Sequence, residues 1–207
     1  MKSLLIDVDT QEDFMYESGT LYVPGAESII PNIQRTMLCA VKTGTPIIST
    51  MDWHDEDDAE FKVYPSHCVA ESGGAEKIIE SIAYGPKFIW EPSWEVPMDQ
   101  CMQFLIKKKT YNVWDKTLGD PGAIGAMLCT EPANIFLMGV ATEICVLAAA
   151  RGLVNHIHNF TQGWIPKLYL IEDAIKGLKP EAEQAAIAEM VNLGFRVIKS
   201  TDLQGVM

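Results

Sequence analysis

The strongest constraint on the fold is a set of short, nearly continuous apolar runs that alternate with helical patterns. Three of these runs are "SLLIDVD" (3–9), "TPIISTM" (45–51) and "NIFLMGV" (134–140). Such runs are typical of strands that are covered on both faces, as in parallel sheets. Because helical segments separate them, we predict an α/β fold: a three-layer α/β/α sandwich with a mostly parallel, doubly wound central sheet.

The same patterns predict the remaining elements. Residues 52–73 read as a long loop rich in acidic, aromatic and glycine residues. Helices are predicted over 26–43, 74–83, 121–130, from about 142 onward, and over 180–193. Shorter strands are predicted within 87–90, 101–110, 167–173 and 195–200.

Composition limits the classes of protein and partner. A chain of 207 residues suggests a single domain over 1–207. Its net charge of −12 argues against nucleic acid or an anionic membrane as a partner. No apolar run approaches the roughly 20 residues that span a bilayer, and the first residues predict a buried strand rather than a signal peptide. Five cysteines without a CxxC pair indicate reduced thiols, and we expect a cytoplasmic protein.

Polar residues stand where the predicted strands end. In open α/β sheets, ligands bind outside the carboxyl ends of the strands, so these residues are expected to meet in one cleft. They are Asp7 and Asp9 after the first strand, Asp52 and His54 after the second, Lys107, Lys108 and Lys109 after a middle strand, and Ala141 and Cys145 after the strand at 134–140.

Three residue types in this cleft suggest nucleophilic chemistry. Cys145 lies in the first turn of a helix, where it is either an activated thiol or a small buried residue. Asp9 either accepts a proton from such a thiol or caps the following turn. Strand alternation places Lys107 and Lys109 on one face and Lys108 on the other, but it does not choose between the faces.

The stretch "MDWHDEDDAEFKVYPSHCV" suggests a metal site. Asp52 and His54 are two residues apart and point the same way in an extended segment, and His67 follows after a loop. One carboxylate and two imidazoles suit zinc, iron or manganese. Asp57 and Asp58 either add an outer carboxylate or form a solvated acidic turn.

Aromatic residues close to these motifs could line a pocket for a flat ring, although each could equally belong to the core. They are Phe14, Phe61, Tyr64, Tyr111 and Trp114.

Four motifs together resemble one family. "DTQEDF" resembles the D-x-Q-x-D-F opening of the nicotinamidase/isochorismatase-like cysteine hydrolases, and "DWH" with "YPSHCV" is similar to the metal segment of nicotinamidases. "KKTYNVW" resembles the family's K-x-x-Y-S-a-F segment, and "GVATEICV" resembles its G-x-A-T-x-x-C-V nucleophile turn. The motifs occur in the family's order and cover residues 3–152.

The resemblance implies roles that the patterns left open. It implies a catalytic triad of Asp9, Lys108 and Cys145. It also implies a cis peptide between Val140 and Ala141, with the N–H groups of Ala141 and Cys145 as an oxyanion hole. Asp52, His54 and His67 become ligands of a divalent metal, zinc first, with iron or manganese as alternatives. The expected substrate pocket is formed by Phe14, Tyr64, Tyr111 and Trp114.

The function implied by the resemblance is hydrolysis of a small amide through a thioester, with nicotinamide as the first candidate. A related amidase acting on a carbamoyl or ureido compound is the main alternative, followed by an isochorismatase or a non-catalytic binding member. The resemblance also implies a homo-oligomer, either a dimer or a tetramer. This sequence departs from the family at Tyr64 and at residues 112–114, and its 153–169 segment is longer than usual and could form a subunit contact.

Overall fold

The computed structural model describes residues 3–85, 87–89, 102–115, 122–160 and 163–207. Within these ranges, seven strands form one sheet. The strands run over Ser3–Val8 (β1), Ile47–Asp52 (β2), Lys87–Ile89 (β3), Gln103–Lys108 (β4), Asn134–Val140 (β5), Lys167–Lys176 (β6) and Phe195–Ile198 (β7).

The strand order is β3-β4-β2-β1-β5-β6-β7, and every pairing between the described strands is parallel. The predicted doubly wound sheet is therefore confirmed. The chain leaves the central strand β1 toward β2 on one side and later returns to β5 on the other. The carboxyl ends of β1 and β5 consequently flank a topological switch point, where ligands bind in folds of this class.

Helices cover both faces of the sheet. They run over Glu12–Met15 (α1), Ile30–Thr43 (α2), Gly122–Leu128 (α3), Leu147–Phe160 (α4) and Pro180–Asn192 (α5). A hydrophobic core lies on each face of the sheet, and alternate residues of β1 pack into one core or the other. Leu4 and Ile6 pack into the core that includes α3, α4 and α5, whereas Leu5 packs into the core that includes α2. Burial on both faces explains why the strand runs are almost wholly apolar.

One predicted element is wrong. In place of a helix over 74–83, the structure has two short 3-10 turns, Gly73–Ala75 and Ile79–Ser81. The residues between them are extended and pair with the segment after β1. The Ile78 N–H donates to the Thr10 carbonyl, and the Glu12 N–H donates to the Glu76 carbonyl. These tertiary hydrogen bonds outweigh the local helical pattern.

Other boundaries shift by smaller amounts. The helix predicted from residue 26 begins as a 3-10 turn over Ala26–Ile29, and the last strand ends at Ile198 before a 3-10 helix. The strand predicted over 167–173 continues to Lys176. The parts of the predictions at residues 90, 101 and 121 lie outside the described residues. None of the described helices has the length and apolar character needed to cross a membrane.

Candidate active site and metal centre

Asp9 lies directly after β1, fully buried, with a φ angle of +49°. The Thr50 hydroxyl donates to Asp9 Oδ1 at 2.5 Å, and Lys108 Nζ lies 2.8 Å from Asp9 Oδ2. The Asp9 N–H donates to the Thr50 carbonyl at 3.2 Å. The carboxylate is therefore held from one side by a hydroxyl and from the other by a cation.

The sheet separates the three neighbouring lysines. Lys108 is buried at the end of β4, between the carboxylates of Asp9 and Asp52. Lys107 lies over the Trp53 ring at 3.4 Å, and Lys109 pairs with Asp55 at the surface. Burial alone would lower the pKa of Lys108, but the two carboxylates outweigh it and raise that pKa above its ordinary value. Lys108 is accordingly a permanent cation inside the site.

Cys145 lies in a π-helical turn, Thr142–Val146, which follows a cis peptide between Val140 and Ala141. The Cys145 sulfur and carboxylate oxygens of Asp9 and Asp52 lie within 4.8 Å of one another. Burial raises the pKa of the Cys145 thiol well above its ordinary value, Lys108 opposes that shift, and Asp9 and Asp52 reinforce it. The resting thiol is protonated at neutral pH and needs a base, and the nearest described carboxylates are those of Asp9 and Asp52.

Asp52, His54 and His67 form a second cluster, in which one ligand atom from each residue lies within 4.8 Å of the others. The outer ring nitrogens are already engaged. His54 Nδ1 lies 3.1 Å from Asp58 Oδ2, and His67 Nδ1 donates to the Pro65 carbonyl at 2.8 Å. These contacts orient each ring and leave the lone pair of its Nε2 atom available to bind a metal.

The residues of this cluster fit a divalent cation. His54 is fully buried, and its Nε2 atom has no hydrogen-bond partner among the residues that the structure describes. A buried polar atom without a partner is costly, and a metal bond would satisfy it. Burial lowers the pKa of His67, which favours the neutral imidazole that binds metals. Burial raises the pKa of Asp52 to about 6, with Asp9 adding to the shift and Lys108 opposing it.

Two residues of the "DTQEDF" stretch hold the cluster in place, and the sequence reasoning gave them no role. The Gln11 amide donates to the Asp52 carbonyl at 2.8 Å and accepts from the Asp52 N–H at 2.7 Å. Asp13 Oδ2 accepts from the Cys68 N–H, next to His67, at 2.7 Å. A Cβ on Gly74 would lie 2.2 Å from the Asp13 carboxylate, so that position requires glycine. The available signal was the D-x-Q-x-D-F pattern, in which Gln11 and Asp13 occupy two of the fixed positions.

An open cavity of about 580 Å³ connects the two clusters. Phe14, Tyr64 and Tyr111 line it, as the sequence predicts for the substrate pocket. Phe61 instead packs against the rings of His54 and His67. The residues that line the cavity without having been predicted for it are Leu21, Val23, Glu60, Val140, Ile144 and Leu178.

Trp114 does not line this cavity, which corrects the expectation for that residue. Its indole N–H donates to the Ala149 carbonyl at 3.1 Å, and its ring packs beside His156. A Cβ on Gly152 would lie 1.9 Å from the Trp114 ring. The ring therefore fills a gap against α4 and joins the segment after Lys108 to the helix that follows Cys145.

Comparisons with known proteins agree over nearly the whole chain. The isochorismatase domain family matches residues 3–202. A nicotinamidase from Schizosaccharomyces pombe is 27% identical over 221 residues, covering 96% of this chain and 93% of that protein. The crystal structure of a pyrazinamidase from Pyrococcus horikoshii in complex with zinc is 28% identical, with a TM-score of 0.72 and coverage of 96% and 99%. A relative from Arabidopsis thaliana, 24% identical with coverage of 93% and 89%, is named as a probable inactive nicotinamidase.

Proposed function

The chain belongs to the isochorismatase domain family, and from that premise we propose that it is a metal-containing amidohydrolase that converts nicotinamide to nicotinate and ammonia. The observation that carries the proposal is that Cys145 lies close to Asp9, which pairs with Lys108, and that three possible metal ligands, Asp52, His54 and His67, lie beside them. Cys145, Asp52 and His67 line the same cavity. The names of the relatives from Schizosaccharomyces pombe and Pyrococcus horikoshii support the same chemistry.

In the first half of the reaction, Asp9 accepts the proton of the Cys145 thiol, and the thiolate attacks the amide carbonyl carbon. The N–H groups of Ala141 and Cys145 hold the resulting oxyanion. Asp9 then returns its proton to the amide nitrogen, the C–N bond breaks, and ammonia leaves. Lys108 remains charged throughout and stabilises whichever partner carries the negative charge.

In the second half, Asp9 takes a proton from water, and the hydroxide attacks the thioester carbonyl. The C–S bond breaks, the acid product leaves, and Cys145 regains a proton. A divalent cation, for which we propose zinc, would be held by Asp52, His54 and His67 and would supply a fixed positive charge that orients the ring of the substrate.

The charges of the cavity favour a neutral amide over those carbamoyl or ureido compounds that carry a carboxylate. Among the described residues that line it, Asp52 and Glu60 are acidic and none is lysine or arginine. The nearby ammonium of Lys108 already faces two carboxylates. A substrate that carries its own carboxylate would therefore meet Asp52 and Glu60 and no lysine or arginine side chain among the described residues that line the cavity. An isochorismatase, whose substrate is also anionic, is disfavoured for the same reason.

The decisive experiment is an ammonia-release assay with nicotinamide on the zinc-loaded protein. We expect turnover by the natural chain and none by Cys145→Ala, which retains the metal ligands. A panel of carbamoyl and ureido compounds should give much smaller kcat/KM values. Absence of ammonia from nicotinamide, with metal bound and the protein folded, would refute the substrate assignment. The expected homo-oligomer stays a prediction that light scattering can test.

A further inference from the structure

A second buried ion pair lies beneath the proposed catalytic carboxylate, and the mechanism above does not use it. Lys77 Nζ lies 2.7 Å from Asp7 Oδ2, and both side chains are almost completely excluded from solvent. Neither residue lines the cavity. Burying two charges is costly, and apolar side chains of similar volume often serve stability equally well. The pair therefore calls for an explanation other than stability.

The contacts of the pair lead directly to both sides of Asp9. Asp7 Oδ1 accepts from the hydroxyl of Thr10, the residue after Asp9, at 2.9 Å. Lys77 Nζ donates to the Thr50 carbonyl at 3.4 Å, and the same carbonyl accepts the Asp9 N–H. One end of the pair thus holds the chain after Asp9, and the other holds the strand beside it.

Asp9 needs such support because of its backbone. Its φ of +49° lies in the left-handed region, which is uncommon for every residue except glycine and which aspartate enters more often than most but still at a cost. A strained backbone of this kind persists only where the surrounding structure holds it in place. This conformation turns the chain at the end of β1 and presents the carboxylate to Lys108 and Cys145.

We propose that the Asp7–Lys77 ion pair is a positioning device for Asp9. Through Thr10 and Thr50 it holds Asp9 in the left-handed conformation that aims its carboxylate at the thiol. The proposal rests on the proposed function in one respect, that Asp9 is the base. Asp7, Lys77 and Thr10 are positioning residues, because they touch none of the reacting atoms.

The first test removes both charges at once. The double variant Asp7→Val/Lys77→Met changes the buried volume little and leaves no lone charge. We expect kcat for nicotinamide to fall about 10- to 100-fold. KM and zinc content should stay near those of the natural chain, because the cavity walls and metal ligands are unchanged.

Thr10 supplies a milder test that does not depend on the folding of the double variant. Thr10→Val removes only the hydroxyl that reaches Asp7 and should lower kcat, whereas Thr10→Ser should restore it. Ser200→Ala is the matched control. Ser200 is also buried and donates a hydroxyl hydrogen bond to Asp173, far from Asp9 in the fold. A fall in kcat for Ser200→Ala as large as that for Thr10→Val would overturn the proposal.

The second readout is independent of the substrate. The rate at which iodoacetamide alkylates Cys145 in the zinc-loaded protein reports on the group beside the sulfur. The double variant and Thr10→Val should shift this rate toward that of Asp9→Asn. An unchanged alkylation rate in both variants overturns the proposal, whatever happens to kcat. If the natural chain does not hydrolyse nicotinamide but the alkylation rates shift, the proposed function fails and the positioning role stands.

Discussion

At the scale of single residues, the site depends on the environment that surrounds one thiol. Burial raises the pKa of Cys145, and Asp9 and Asp52 add to the shift while Lys108 opposes it. A low-pKa thiol would be ready to react with any electrophile. In the proposed mechanism, the protonated thiol becomes nucleophilic only as Asp9 takes its proton, which would couple deprotonation to the arrival of a substrate carbonyl.

This environment predicts the pH dependence of thiol alkylation in the metal-free protein. Because the pKa of Cys145 is raised, its thiolate fraction should be small at pH 7 and should still increase above the ordinary value of 9.0. Asp9→Asn removes one cause of the rise, so its alkylation curve should move to lower pH although its turnover is lost. Mass spectrometry of the Cys145 peptide measures the rate, and the exposed Cys129 serves as a reference in the same molecule. A curve for Asp9→Asn at the same or higher pH would contradict the prediction.

At the scale of elements, the segment after β2 is folded around its two histidines. Asp58 caps a 3-10 turn by accepting from the Glu60 N–H, and its other oxygen contacts His54. Of the two acidic residues that the sequence offered as an outer carboxylate, the structure places Asp58 in that position. The same side chain thus caps the start of the turn and orients a proposed metal ligand.

Asp58→Asn is expected to weaken zinc binding by about 10- to 100-fold, because the His54 ring loses a charged hydrogen-bond partner. Competition with a chromophoric chelator measures the affinity. Asp57→Asn is the matched control, since Asp57 is exposed and adjacent. Equal losses in the two variants would indicate a general effect of surface charge. His67→Ala should lower zinc content further and should raise KM, while Cys145 still reacts with iodoacetamide.

The contact between Trp114 and α4 predicts a stability effect. Gly152→Ala places a methyl group into the indole ring and should lower the free energy of unfolding by about 1–3 kcal/mol. Gly73→Ala meets no atom within 4 Å and should change it by no more than about 0.5 kcal/mol. Urea unfolding measures both. The double variant Gly152→Ala/Trp114→Leu should recover part of the loss, and failure to do so would show that the ring is not the obstacle.

At the scale of the whole molecule, the site is assembled from segments far apart in the chain. Its residues come from the ends of β1, β2, β4 and β5, which meet because β1 lies at the centre of the sheet. A cation at Asp52, His54 and His67 would join the segment after β2 to the loop that contains His67. Metal binding there would consequently be coupled to folding.

Metal removal should therefore destabilise the protein. With free zinc at 100 times the dissociation constant, binding adds about 2.7 kcal/mol to the folded state. Thermal unfolding with zinc and with a chelator measures the difference in Tm. Asp52→Asn, which weakens the site, should show a much smaller difference. A Tm that does not respond to zinc in the natural chain would rule out this ligand set.

Much of the fold follows from local patterns. Buried parallel strands require apolar residues on both faces, so β1, β2 and β5 are visible as continuous runs in the sequence. The helix predicted over 74–83 is wrong because contacts distant in the sequence decide the structure there. Its helical pattern is weaker than the hydrogen bonds it makes to the chain after β1, and those partners lie more than 60 residues away.

By itself, the sequence determined the layered sheet, the order of its motifs and the residue types at the strand ends, because each of these depends on neighbours along the chain. Strand alternation did not choose among the three lysines, and the family resemblance indicated Lys108. Only the tertiary structure showed the physical reason, since it places Lys108 between two carboxylates and leaves Lys109 at the surface. It also decided that Lys77 is buried against Asp7 and that Trp114 packs against α4. Periodicity indicates which residues share a face of a strand or helix. The position of a buried charge or ring depends on partners that are distant in the sequence and that only tertiary packing brings together.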